Sequence, residues 1–234
     1  MPDKDVSRKR RLETEIIVVV LIVFLAPLTI YLFSVNQYLF DYDHYVQHFR
    51  ENNIYDDVPH ANETISQLLE YFRSGQSVEP EIEGFNERER SHLLDVKLLI
   101  HKGSLLLMTL LAVKVLLFVY LIKSSRDVGR HVSWVFIGSG LATLAFSALL
   151  MLGQFPSVFS AFHSMFFERG TWLFSRTDLL IRLFPFRFFH ETAARIIVNS
   201  ITLSVFLVLI GSALFMIRRK GVFMLKQRRK KKQS

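Results

Sequence analysis

Four apolar stretches, Glu15–Val35, Leu98–Ile122, Ser133–Phe155 and Ile196–Ile217, decide what this chain can fold into. Each matches the ~20 residues that a helix needs to cross a hydrocarbon core. A bilayer offers no water to unpaired backbone groups, so each of these stretches must be helical. Half of the residues are hydrophobic and Phe alone occurs 22 times, which is too apolar and too clustered for one soluble domain. The predicted fold is an all-α integral membrane protein. It has four transmembrane helices and two extracytoplasmic loops, 36–97 and 156–195, that contain amphipathic or interfacial helices. The chain, 1–234, reads as a single membrane domain with a cytoplasmic basic tail, 218–234.

Charge gives the orientation. Arg8, Lys9, Arg10 and Arg11 precede the first span, and Lys123, Arg126 and Arg130 lie between the second and third. Arg218, Arg219, Lys220, Lys226 and the run 228–232 follow the fourth. The segment Asn36–Asp95 instead holds 13 of the 21 acidic residues against four Arg or Lys. Basic residues stay on the cytoplasmic side, so both termini and the loop near Ser125 are expected in the cytoplasm of a multi-pass cell-membrane protein. The basic tail suits anionic membrane lipid at the inner leaflet. No nucleic-acid partner is expected, because no aromatic platform accompanies the charges. The first span reads as an uncleaved anchor: its apolar run exceeds a signal core, and Ser34-Val35-Asn36-Gln37 is not a small-x-small cleavage site.

The loops carry their own pattern. Asp41–Asn52 reads as a short amphipathic helix. Asn62–Phe72 reads as another, with Ile65, Leu68, Leu69 and Phe72 at helical spacing. Ser74–Gly84 is a loop rich in Gly, Ser, Pro and Glu. Asn86 is placed to cap a long helix that runs into the second span. At ~100° per residue, Arg88, His92, Asp95, Leu99 and Lys102 fall on one stripe of that helix. The segment Phe155–Arg195 is aromatic yet holds several arginines and His163. Its short apolar groups fit helices lying in the interface, with arginines at headgroup level. Lys114 lies mid-span, where a charge either serves function or snorkels to the surface. Small residues such as Gly138, Gly140 and Gly211 suit close helix packing.

There is no glycine-rich nucleotide loop, no zinc-protease His-Glu pattern and no serine-nucleophile elbow. The absence of cysteine removes thiol catalysis, thiolate metal sites and disulfides. What remains is His92 before one span and His163 after the next. If both spans cross, the two histidines share the outer side, over the lipid headgroups. His92, Asp95 and His163 are also residue types that bind zinc, so a metal-dependent membrane hydrolase is one alternative. A non-catalytic protein that binds lipid or a partner through its external loops is another.

Two blocks resemble the lipoprotein intramolecular transacylases (Lit), a family of four-span membrane enzymes. One is Ser91-His92-Leu93-x-Asp95-Val96-Lys97. The other begins Phe162-His163-x-x-Phe166-Phe167 and continues through Thr171-Trp172-x-Phe174 and Asp178-x-Leu180-Ile181 to Leu183-x-Pro185 and Phe188-Phe189. The resemblance implies an acyltransferase that moves the sn-2 acyl chain of a diacylglyceryl-cysteine lipoprotein to its own N-terminal α-amine. It implies His92 and His163 as the catalytic pair, with Asp95 orienting His92. It further suggests Arg169, Arg182, Trp172 and Asp178 on the substrate side. Neither a metal nor an organic cofactor is expected, and the partners are the lipoprotein substrate and membrane lipid.

Overall fold

The computed structural model describes residues 2–76, 78–168 and 170–231. Among them every regular element is a helix: α1 (Pro2–Leu39), α2 (Tyr42–Glu51), α3 (Ile54–Asp57), α4 (Ala61–Arg73), α5 (Glu87–Ser124), α6 (Val128–Leu152), α7 (Phe155–Phe166), α8 (Leu179–Leu183) and α9 (Phe186–Lys231). Four of them contain stretches long and apolar enough to cross a membrane, within Val6–Leu39, Glu87–Ser124, Val128–Leu152 and Phe186–Gly221. The protein is therefore a multi-pass helical membrane protein. At 1.5 Å per residue, a helix the length of α5 runs to ~57 Å, well beyond a ~30 Å hydrocarbon core. Its first turns extend outside the apolar stretch that begins at Leu98.

Two boundaries differ from the sequence reading, and proline explains both. The third span does not run on to Phe155. It stops at Leu152, and α7 starts afresh with Pro156 in its first turn, where a missing N–H costs nothing. Residues 186–195, read as part of the interfacial loop, instead form the opening turns of α9. Pro185 stands just before that helix, and its carbonyl accepts the Phe188 N–H at 2.8 Å. The short helix α3 was not anticipated.

The chain divides into two compact units. One comprises Leu32–Leu107 and Met151–Ile197. It has a true hydrophobic core, with Tyr45 and Phe49 from α2, Ile65, Leu68, Leu69 and Phe72 from α4, Leu93 from α5, Leu180 and Leu183 from α8, and Phe188 from α9. The helical spacing seen in Asn62–Phe72 is thus the core face of α4. Asp41 caps α2, its carboxylate accepting the N–H groups of Asp43 and His44 at 3.1 and 3.3 Å. The other unit comprises Met1–Tyr31, Met108–Leu150 and Val198–Ser234. Its buried apolar cluster is small, Val18, Ile22, Leu121 and Val135, as expected where lipid covers the outer faces. Packing there relies on small residues. A Cβ on Gly140 would lie 2.5 Å from the Ser204 carbonyl oxygen, so α6 and α9 meet backbone to backbone. Lys114, half-buried, makes no hydrogen bond or ion pair with the described residues.

Candidate active site

The site is built from the first turns of α5, from α7 and from the loop that leads into α8, all within one unit. α5 starts with a reciprocal cap. The Asn86 side chain accepts the Glu89 N–H at 3.0 Å, and the Glu89 carboxylate accepts the Asn86 N–H at 2.8 Å. This is a capping box with Asn in the capping position. The second oxygen of Glu89 accepts the Leu180 N–H at 2.7 Å, so one carboxylate, only 1% exposed, ties α5 to α8. One turn further along α5 stands His92.

His92 is buried, and its ring lies 6.5 Å from that of His163 with only 21° between the planes. No hydrogen bond joins the two among the described residues. Aromatic rings enclose them: Phe167 and Phe174 lie 4.8 and 5.3 Å from His92, and Phe159 and Trp172 lie 4.0 and 4.8 Å from His163. His163 Nδ1 donates to the Phe159 carbonyl at 2.8 Å, one turn earlier in α7. That bond selects the tautomer and leaves Nε2 with a free lone pair. Burial lowers the pKa of His163 below the ordinary imidazole value, and the Phe159 carbonyl only partly offsets this. Near neutral pH His163 is an uncharged base. Nδ1 of His92 is buried and has no partner among the described residues. Such an orphaned polar atom carries a desolvation cost, and polar groups that persist in this state often serve a reaction.

The other residues expected at the site fall in varied places. Trp172 forms a wall against His163. Asp95, three residues after His92, is half-buried and makes no hydrogen bond to His92; burial, and then the repulsion of the Glu168 carboxylate, raise its pKa above the ordinary carboxylate value. Arg182 is engaged elsewhere: its Nε donates to Asp57 Oδ2 at 2.7 Å and its Nη2 to Oδ1 at 3.0 Å, a bidentate fork. Asp178 organises the loop. Its carboxylate accepts from the Ser175 N–H at 2.6 Å and the Asn86 side chain at 3.1 Å, and it pairs with Arg88 at 3.8 Å. Arg169 lies outside the described residues. Among those residues, no three His, Asp or Glu side chains gather as a metal would need.

Sequence reasoning did not single out Glu89 or the loop-holding role of Arg88. Arg88 donates to the Leu173 carbonyl and lies over the Phe174 ring, 5.0 Å from its centre. It thereby braces the stretch that brings Trp172 and Phe174 to the histidines. The spacing Asn86-x-x-Glu89 carried the signal for the cap. Nothing in the sequence carried the bond from Glu89 to Leu180.

Residues 16–189 match the family model of the lipoprotein intramolecular transacylase Lit. No curated protein matches the chain. Among solved structures, the membrane integral lipoprotein intramolecular transacylase Lit from Bacillus cereus has a similar fold. Its TM-score is 0.77 at 18% identity, over 89% of this chain and 99% of that one. A form of that protein with a histidine-to-alanine mutation matches with a TM-score of 0.76 at 16% identity, over 92% of this chain and 99% of that one.

Proposed function

This chain belongs to the lipoprotein intramolecular transacylase (Lit) family, and we propose that it transfers the sn-2 acyl chain of a diacylglyceryl-cysteine lipoprotein to that cysteine's own α-amine. The reaction breaks the sn-2 ester C–O bond and forms an amide C–N bond. It leaves a free sn-2 hydroxyl and an N-acylated lyso-form lipoprotein. Atoms balance without water or a co-reactant.

The observation that carries this reading is the pair of nearly parallel imidazoles, 6.5 Å apart in an aromatic box. Burial, with the charge of His163 as a smaller cause, holds His92 down to about 4, and burial holds His163 below the ordinary imidazole value, so both rings are uncharged near neutral pH. The substrate α-amine has a pKa of ~8 and attacks as the free base. Amine and ester belong to one molecule, which supplies the proximity advantage. As the C–N bond forms, Nε2 of His163 takes the amine proton. As the tetrahedral intermediate collapses, that proton passes to the departing sn-2 oxygen with the uncharged His92 ring as the relay, taking up a proton on one nitrogen as the other releases one.

Aromatic walls exclude water, which would otherwise divert the acyl group to hydrolysis. Trp172, Phe159 and Phe174 suit the glyceryl and acyl carbons. Because Arg182 is engaged with Asp57, Arg169 is the cation we assign to the oxyanion, from its place two residues after Phe167 in the matching block. The positive-inside pattern supports cytoplasmic termini and a site at the outer leaflet, where diacylated lipoproteins reside. The decisive experiment is mass spectrometry of lipoprotein N-termini from cells with and without this gene. An N-acyl, mono-O-acyl cysteine that appears only with the gene is expected. A lyso-form with a free amine would show hydrolysis instead and overturn the proposal.

A further inference from the structure

We propose that a groove between α1 and α6 is a binding site for an anionic phospholipid, with Arg130 as its phosphate anchor. The groove is an open cavity of about 460 Å³. Ile16, Val19, Val20 and Val23 form its α1 side, an unbroken aliphatic stripe at helical spacing. The α6 side is graded: Arg130 and His131 at one end, Trp134 a turn further along, Gly138 at the other end. The apolar end is closed, because a Cβ on Gly138 would lie 2.8 Å from a methyl of Val23. None of these residues belongs to the unit that holds His92 and His163.

The polar end has charge to spare. One Nη of Arg130 donates to His131 Nε2 at 3.3 Å, and the remaining guanidinium N–H groups have no partner among the described residues. The neighbouring carboxylates are already engaged. Asp127 is held by the guanidinium fork of Arg218, with its Nε at 2.8 Å, and it also accepts the Arg130 backbone N–H at 3.3 Å and feels the Arg130 charge, the weaker of the two electrostatic partners. Glu15, buried, pairs with Arg11 at 3.3 Å and lies 3.8 Å from His131. On α1, Lys9 precedes Ile16 by seven residues and so falls on the same face within ~20°. Among the described residues, no carboxylate lines the groove to receive the ammonium of a zwitterionic headgroup.

These features match one ligand chemistry. A guanidinium binds phosphate oxygens through its fork. An exposed tryptophan beside it suits the glycerol and ester level of a bilayer. The aliphatic stripe suits an acyl chain, and basic recesses between membrane helices favour anionic headgroups.

The test uses the full chain in detergent and native mass spectrometry with equal amounts of dioleoyl phosphatidylglycerol and dioleoyl phosphatidylcholine. The wild type should retain the anionic lipid about fivefold better, the scale of one basic contact at a membrane surface. Arg130→Gln should erase that preference, and Arg130→Lys should keep part of it. Val20→Trp fills the groove from an exposed position without entering a packed core, and should lower retention of both lipids. Equal retention of the two lipids by the wild type would overturn the proposal. So would a preference untouched by Arg130→Gln, or retention untouched by Val20→Trp. The readout is binding alone, so it stands or falls separately from the transacylase reading.

Discussion

The carboxylate of Glu89 accepts the backbone N–H of Leu180 at 2.7 Å, across 91 positions of sequence. The same carboxylate closes the cap of α5 on Asn86, one turn before His92. One buried side chain thus sets the helix that carries one histidine against the loop that walls the other.

Loss of that carboxylate should therefore loosen the site without touching the reacting atoms. Glu89→Ala removes two charge-assisted bonds inside a dry core, and each is worth roughly 1.5–3 kcal/mol. Glu89→Gln keeps one carbonyl acceptor and should restore part of the stability. Thermal unfolding in detergent would rank the wild type above Gln and Gln above Ala. Equal midpoints for all three would remove Glu89 from the framework of the site.

The histidine pair makes a sharper claim. His92→Ala and His163→Ala should each lower lyso-lipoprotein formation at least ~100-fold, the usual scale of a lost acid or base. Both variants should still accumulate in the membrane, since neither residue anchors the core around Phe49 and Leu68. Near-normal product from either variant, quantified by mass spectrometry, would remove that residue from the chemistry.

A second pair of buried histidines adds to the pH sensitivity that the buried His92 and the half-buried His163 already confer. Burial holds His44 and His48 on α2 below the ordinary imidazole pKa. Arg195 adds to that lowering at His44 and Arg187 at His48, while Asp41 and Glu191 oppose it at His44, and Glu191 and Glu51 at His48. The unfolded chain, at ~6.5, takes up protons first. The stability is complete above that value and is lost as the pH falls from there through the folded values. The thermal midpoint should drop between pH values of about 7.5 and 5, and less steeply in His48→Gln. A midpoint that stays flat over that range would refute the linkage.

The basic flanks predict the sidedness, and the lack of native cysteine makes it simple to probe. Glu79 and Arg126 are both exposed. A cysteine at Glu79 should react with a membrane-impermeant thiol reagent in intact cells. A cysteine at Arg126 should react only after permeabilisation. The opposite pattern would invert the protein and take the histidines away from outer-leaflet substrates.

Span number, the core face of α4, the cap of α5 and the histidine blocks were legible in the sequence. Each is written by local rules: apolar run length, a spacing of three or four residues, a capping side chain before a helix. His92 and His163 were nameable as a pair from motifs, but their parallel rings and the Phe159 carbonyl that sets the tautomer of His163 were not. Those depend on where α7 begins, with Pro156 in its first turn. Arg182 and Asp178 show the same limit. As residue types they suit substrate anions, yet Arg182 pairs with Asp57, and Asp178 with Asn86 and Ser175. A charged side chain takes the partner that folding brings nearest, and no local pattern encodes a partner 125 positions away. By itself the sequence determined that this chain crosses a membrane as helices and carries transacylase motifs, because hydrophobic length and helical period act within one segment. Only the tertiary structure decided which polar groups hold the frame and which are left without a partner in the aromatic box, because that choice depends on contacts between segments.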